Sequence, residues 1–293
     1  CQDCSVGCNV DVFSQKDKII RLTSRENHEV NGYFMCDIGR YGFHRYEDLN
    51  RISTPMIKSN NTFKEVKWDK IIEKIQAKIS NINDKIVAIA SPFHTNETNY
   101  MLGKVFDGII GVLPSSMGEE INYPSGFRIS GDRSPNKRGM HDVCPNIVKD
   151  IASEIEKEGI LAAFILDNGI DFKLDEAWKA ILNKMDLVIV QTYAMTPLAK
   201  SADIILPGLA PFEREGTLTN DQGHVQWLRP SLPAQGDARS DWQILSLIDK
   251  NGETYNDLSD ILNNMGNDFP SYSDISLFKL GDQGHNLNGS IKT

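Results

Sequence analysis

The chain has 293 residues, a formal net charge of −9, 40% hydrophobic and 24% charged residues. That length holds two ordinary domains, or one large α/β domain with a small appendage. An acidic chain of this kind lacks the basic face that neutralises phosphates, which excludes a nucleic-acid partner. Nothing in it approaches the roughly 18–20 consecutive apolar residues that span a bilayer, so no direct membrane insertion is expected. Five cysteines, four of them before residue 37, do not form the evenly spread framework of a small secreted disulfide protein. A reducing, cytoplasmic setting fits better, and a chain that opens on Cys1 instead of Met reads as a fragment.

The first stretch carries the strongest signal. Cys1, Cys4, Cys8 and Cys36 read C-x2-C-x3-C-x27-C. Three thiolates in one turn, with a fourth returned from a distance, suit a 4Fe-4S cubane, which takes one Cys per iron. Structural zinc usually takes two separated C-x2-4-C pairs. A Cys4 zinc scaffold therefore ranks below the cluster, and unpaired or disulfide-bonded cysteines rank below zinc. Residues 9–13 and 19–23 read as strands around a turn at 15–18, so the cysteine turn heads a small hairpin. Asn31-Gly32 turns the chain back to Cys36, and Gly39 lets the backbone pass close to a sulfide. Ser53-Thr54-Pro55 closes this first domain, 1–57.

Beyond it the periodicity changes. Ile71, Ile72, Ile75 and Ile79 mark an amphipathic helix over 68–82, and 85–90 is a continuous apolar run of the buried parallel-strand kind. Thr95 caps a helix reaching about 106–110. No long element is expected between 114 and 141. Helices follow at 146–157 and 175–185, a short one at 196–201, and strands at 160–166, 186–191 and 203–206. This alternation predicts βαβ units and a parallel sheet in a second domain, 58–250. A tail at 251–293 carries one helix near 255–265 and is otherwise expected to be loosely packed or partner-dependent.

Open α/β sheets bind ligands at the carboxyl ends of their strands, which here carry Asp167-Asn168-Gly169 and Gln191-Thr192-Tyr193. Both read more readily as ordinary polar turns, and no G-x-G-x-x-G or Walker loop accompanies them. His44, His94, His141 and His224 lack the partner spacing of a helical metal site. Asp203, Glu213 and Glu215 read as solvated, or as paired with Arg214 and Arg229. Cys144, before Pro145, reads as a small buried residue.

Several segments together resemble one family. They are the cysteine spacing, Cys36-Asp37-Ile38-Gly39-Arg40, TNETNY at 95–100, SPNKRG at 134–139, SADIILPG at 201–208, EREGTLTN at 213–220, GHVQ at 223–226 and GDARSDW at 236–242. They look like the molybdopterin-oxidoreductase superfamily and, within it, the G subunit of the respiratory NADH–quinone oxidoreductase, complex I, in its C-terminal portion. The resemblance implies an α/β fold in which a small N-terminal iron–sulfur domain with a short β-hairpin precedes a shortened Rossmann-like βαβ domain with a parallel sheet. It also implies that Cys1, Cys4, Cys8 and Cys36 hold the iron of a 4Fe-4S cluster used for electron transfer or structure, with no catalytic residue and no small-molecule substrate in this chain. Its partners would be other peripheral-arm subunits of complex I, on the inner face of the cytoplasmic membrane. Catalytic relatives hold a Lys two residues after the fourth cysteine, where this chain has Ile38, and enclose their pterins with several hundred more residues. Both differences argue against molybdopterin here. The segment 216–226, which contacts cofactor in catalytic relatives, reads mainly as retained fold. A reduced molybdenum or tungsten oxidoreductase such as a formate dehydrogenase is the alternative.

Overall fold

The structure is a computed structural model describing residues 1–47, 49–82, 85–169, 173–249, 252 and 254–289. A loop through Cys8 leads into the antiparallel hairpin of β1 (Val10–Gln15) and β2 (Lys18–Ser24). Lys16 and Asp17 at its tip both have positive φ, 51° and 58°, the left-handed pair of a two-residue turn whose twist matches its strands. Cys36 caps the short helix α1 (Asp37–Tyr41), and a 3-10 turn over Gly42–Tyr46 follows.

The remaining chain builds a seven-stranded sheet. Its strands are β3 (Met56–Ser59), β4 (Thr62–Glu65), β5 (Ile86–Ala90), β6 (Ile110–Val112), then, after a two-residue pair β7 (Ile121–Asn122) and β8 (Arg128–Ile129), β9 (Ala162–Leu166), β10 (Leu187–Thr192) and β11 (Ile204–Pro207). They stand in the order β4-β3-β11-β10-β9-β5-β6. The five strands from β11 to β6 are parallel, and the β3–β4 hairpin adds an antiparallel edge. In chain order the parallel strands stand 2-1-3-4-5, a doubly wound arrangement whose switch point lies between the first and third, here β5 and β9.

Alternate residues of each strand feed opposite faces, and helices cover both. Ala88, Phe164, Ile189 and Ile204 join one core with α2 (Trp68–Asn81) and α3 (Asn96–Val105). Val87, Ile89, Ile165, Val190 and Ile205 join the other with α5 (Ile151–Glu158), α6 (Glu176–Leu182) and α7 (Pro197–Ser201). Burial on both faces is why β5, β9, β10 and β11 read as continuous apolar runs. The α/β class with a mostly parallel sheet and a short N-terminal hairpin is the one expected from sequence.

Some elements follow the sequence reading and others differ from it. The stretch from 114 to 141, expected to lack a long element, holds short ones, the two-residue β7 and β8 and the start of the seven-residue helix α4 (Lys137–Val143), in keeping with that reading. The helix expected from 146 starts only at Ile151, because Asn146 takes φ 62° and Ile147 bridges Ile110; Asp150 then caps it by accepting from Ser153 N–H at 3.1 Å. Residues 56–65 form the hairpin on the sheet edge, just where the first domain was expected to end.

A second sheet comes from β12 (Gly216–Thr219), β13 (His224–Leu228) and β14 (His285–Asn286). Between the last two lie α8 (Asp241–Ile248), α9 (Leu258–Asp268) and α10 (Leu277–Leu280). The end of the chain is thus not loosely packed over the described residues. Leu258, Ile261, Leu262, Met265, Tyr272, Ile275 and Leu280 are buried in the main core, and Tyr272 Oη meets Thr219 Oγ1 at 2.8 Å.

Candidate functional site

Three of the four N-terminal cysteines sit on one loop, and the late β12–β13 turn stitches that loop to the core. Asn220 Nδ2 donates to Val6 O at 3.0 Å and Gln226 Nε2 to Gly7 O at 2.7 Å. Asp221 N–H donates to Ser5 O at 3.0 Å, and Ser5 Oγ meets Asp221 Oδ2 at 2.7 Å and Ser130 Oγ at 2.8 Å. Gly7 has φ +67°, and a β-carbon there would stand 3.0 Å from the Gln226 amide. The loop therefore turns sharply at a residue that needs glycine.

Cys4 and Cys8 are buried around Val6, with Cys1 packed against them. The fourth cysteine reaches the same place from α1. Cys36 Sγ accepts the Gly39 N–H at 3.4 Å, and a β-carbon on Gly39 would lie 2.8 Å from Cys1 Sγ. Gly39 thus leaves room for Cys1 Sγ against the backbone of α1. Cys4 and Cys8 both lie within electrostatic reach of Cys36.

Burial raises the Cys4 thiol, while N–H donors from Val6 and Ser130 to its sulfur pull it down. Burial pushes Cys8 up to about 12. Such thiols become thiolates only when a cation replaces the proton, which is what iron does. Four thiols with backbone donors aimed at sulfur are a donor set suited to an iron–sulfur cubane. Among the described residues no three His, Cys, Asp or Glu side chains converge as ligands of a single ion would, whereas cubane thiolates each take their own iron.

The loops after β9 and β10 close on one another. Tyr193, after β10, hydrogen-bonds through its hydroxyl to Asn168 O, after β9. Asp167 accepts from Thr196 Oγ1 at 2.6 Å and from Gly169 N–H at 3.3 Å. The two loops singled out by sequence meet, and they satisfy one another. What remains between Gln2, Tyr46, Phe93, Asn168, Tyr193 and Arg214 is about 10 Å³, room for one water.

Beside this space lies a buried charge network that differs from the pairing expected from sequence. Glu213 pairs not with Arg214 or Arg229 but with Arg51, through two bonds of 2.7 and 2.9 Å. Arg214 Nε lies 3.3 Å from Asp241, and its other nitrogens donate to Phe93 O and Leu209 O at 2.9 and 3.0 Å. Gln191 Nε2 donates to Asp241 at 2.7 Å and His94 Nε2 lies 3.8 Å from it. Burial first, then Arg214, drives the His94 pKa well down, so this imidazole stays neutral. The partners stand far apart in sequence, so only the fold reveals them.

Cys144 follows α4 in the main core, apart from the other cysteines. Burial alone pushes its thiol up to about 12. At pH 8 its thiolate fraction is then on the order of a thousandfold below that of a free thiol. Peptide mapping after iodoacetamide treatment of the native protein should find Cys144 unmodified, and rapid alkylation would contradict the burial. The unfolded chain releases this proton near pH 8.5 and the folded one near 12, so the contribution to stability is full below about pH 8.5 and lost as pH rises through that window.

A sequence profile described as molybdopterin oxidoreductase matches residues 51–127 and 136–251, and one described as the molybdopterin oxidoreductase Fe4S4 domain matches residues 1–48. The alpha subunit of a formate dehydrogenase of Methanococcus maripaludis is 35% identical over 108 residues, 35% of this chain and 16% of that protein. The G subunit of the NADH-quinone oxidoreductase of Buchnera aphidicola is 33% identical over 106 residues, 36% of this chain and 12% of that protein. The matched stretches are thus a small part of both relatives. Acetylene hydratase from Pelobacter acetylenicus shares the fold, with a TM-score of 0.65 over 97% of this chain and 73% of its own, at 11% identity.

Proposed function

This chain belongs to the molybdopterin oxidoreductase family, and from that premise we propose that it is a non-catalytic iron–sulfur portion of an NADH–quinone oxidoreductase, like the G subunit of complex I. Cys1, Cys4, Cys8 and Cys36 are its cluster ligands. The observation that carries this reading is the cysteine loop, where three thiols and the fourth from α1 meet under N–H donors from Val6, Ser130 and Gly39. A 4Fe-4S cluster held there supplies one-electron transfer. The chain's own residues hold it, exclude water around Cys4 and Cys8, and orient N–H dipoles at sulfur.

The non-catalytic part of the proposal is supported by two features. Ile38 stands where catalytic relatives hold a lysine and is 43% exposed. Tyr193 closes the space between the loops after β9 and β10, leaving about 10 Å³ beside Phe93 and Arg214. Among the described residues no helix is long and apolar enough to cross a membrane. The proposed setting is therefore peripheral, on the inner face of the cytoplasmic membrane through other peripheral-arm subunits.

Anaerobic purification, metal and sulfide analysis, and EPR of the dithionite-reduced protein test the reading. Iron and sulfide with a reduced-cluster signal are expected. A colourless, EPR-silent protein with stoichiometric zinc would sink it. Molybdenum or tungsten with extractable pterin would favour a formate-dehydrogenase-like enzyme, the reading suggested by the Methanococcus relative.

A further inference from the structure

A half-buried cation, Arg133, stands beside the cysteine loop. Residues 128–134 run behind that loop. Ser5 N–H donates to Asp132 O at 2.9 Å, and the Ser130 N–H reaches Cys4 Sγ. Arg133 comes next, fixed by its own N–H to Ser116 O at 3.3 Å. Its guanidinium lies within electrostatic reach of both Asp3 and Cys4.

Arg133 Nη1 is buried and has no hydrogen-bond partner. The neighbouring carboxylates are otherwise engaged, Asp3 by Arg45 and Asp132 by Lys137 at 3.4 Å. An unanswered cationic N–H in the interior is costly unless a negative group comes to it. Gly118 makes the room, because a β-carbon there would stand 2.5 Å from Arg133 Nε and Nη2. A glycine against the guanidinium, one buried N–H without a partner, and electrostatic reach to Cys4 together set an incompletely paired cation beside the thiol loop.

We propose that Arg133 is a tuning residue of the iron–sulfur site, its charge and free N–H favouring the more negative, reduced state of the bound cluster. The proposal rests on the four cysteines being the cluster ligands. Net charge and hydrogen bonding around a cluster are the levers that set its potential, and a cation beside it favours electron uptake.

The test is an EPR-monitored redox titration of the anaerobically purified protein. Arg133→Met is expected to keep full iron and sulfide and to lose about tenfold in electron affinity, ~59 mV lower for a one-electron couple. Arg133→Lys keeps the charge and should recover most of the shift. Gly118→Ala leaves Arg133 in place but pushes its guanidinium aside, so it should lower the potential in the same direction; it carries the comparison if Arg133→Met fails to retain iron. Wild-type potentials in Arg133→Met at full iron, or in Gly118→Ala, would overturn the proposal. Wild-type protein with no iron–sulfur cluster would overturn the ligand assignment, and the proposal with it, and is told apart by the iron and sulfide analysis.

Discussion

Cys8→Ala is expected to abolish the reduced-cluster EPR signal and to remove most of the iron and sulfide, with the protein still folded. Cys8 is buried beside Cys4, and burial holds its thiol near 12, so the site is assembled around a sulfur that only a metal makes anionic. A cubane takes one thiolate per iron. With one removed, each remaining thiol already serves its own iron, and Asn9, the next side chain, is engaged with Asn27 at 3.2 Å. The substitution itself is mild, since it deletes a single sulfur from a small apolar cluster, a loss on the order of 1 kcal/mol. Circular dichroism should therefore stay native-like while iron falls. Full iron and an unchanged EPR spectrum in Cys8→Ala would remove Cys8 from the ligand set.

Asp241→Ala is expected to cost about 3–5 kcal/mol of stability by denaturant unfolding. Burial raises the Asp241 carboxyl and Arg214 pulls it back, so the pair contributes little over an apolar replacement of equal volume. Breaking it is another matter. Arg214, 4% exposed, would lose its carboxylate at 3.3 Å, and Gln191 would lose an acceptor at 2.7 Å. Arg214→Met in the Asp241→Ala background should return part of that loss, because no charge is then stranded. A single-mutant loss under 1 kcal/mol, or no recovery in the double mutant, would show that the interior tolerates the lone guanidinium.

The core strands and the cysteine loop are readable because each is written in neighbouring residues. The run at Ile86–Ala90 and the spacing of Cys1, Cys4 and Cys8 need no partner to be seen. Thr95 reads as a cap for the same reason, and its side chain does accept Thr98 N–H at 3.2 Å. The rest depends on distant contacts. Glu213 finds Arg51, 162 residues away, and β12 is held by Glu97 through Thr217 N–H at 2.8 Å, 120 residues away. No local pattern encodes such pairs. In the tail a signal is present, since Leu258, Ile261, Leu262 and Met265 repeat at helical spacing. The Asn- and Asp-rich surroundings obscure that Tyr272, Ile275 and Leu280 are buried too. The segment 216–226, read from sequence as retained fold, has a visible task in Asn220, Asp221 and Gln226, which fasten the cysteine loop.

That fastening joins residues far apart in the chain. Val6 and Asn220 are 214 positions apart, so closing the loop between them carries the entropy of a very long ring and makes the contact slow to form. The thiols of the loop precede β12 and β13 in the chain, and their seat needs both, since Asn220, Asp221 and Gln226 supply its bonds. A metal centre held there would tie the early part of the chain to the late part through those bonds.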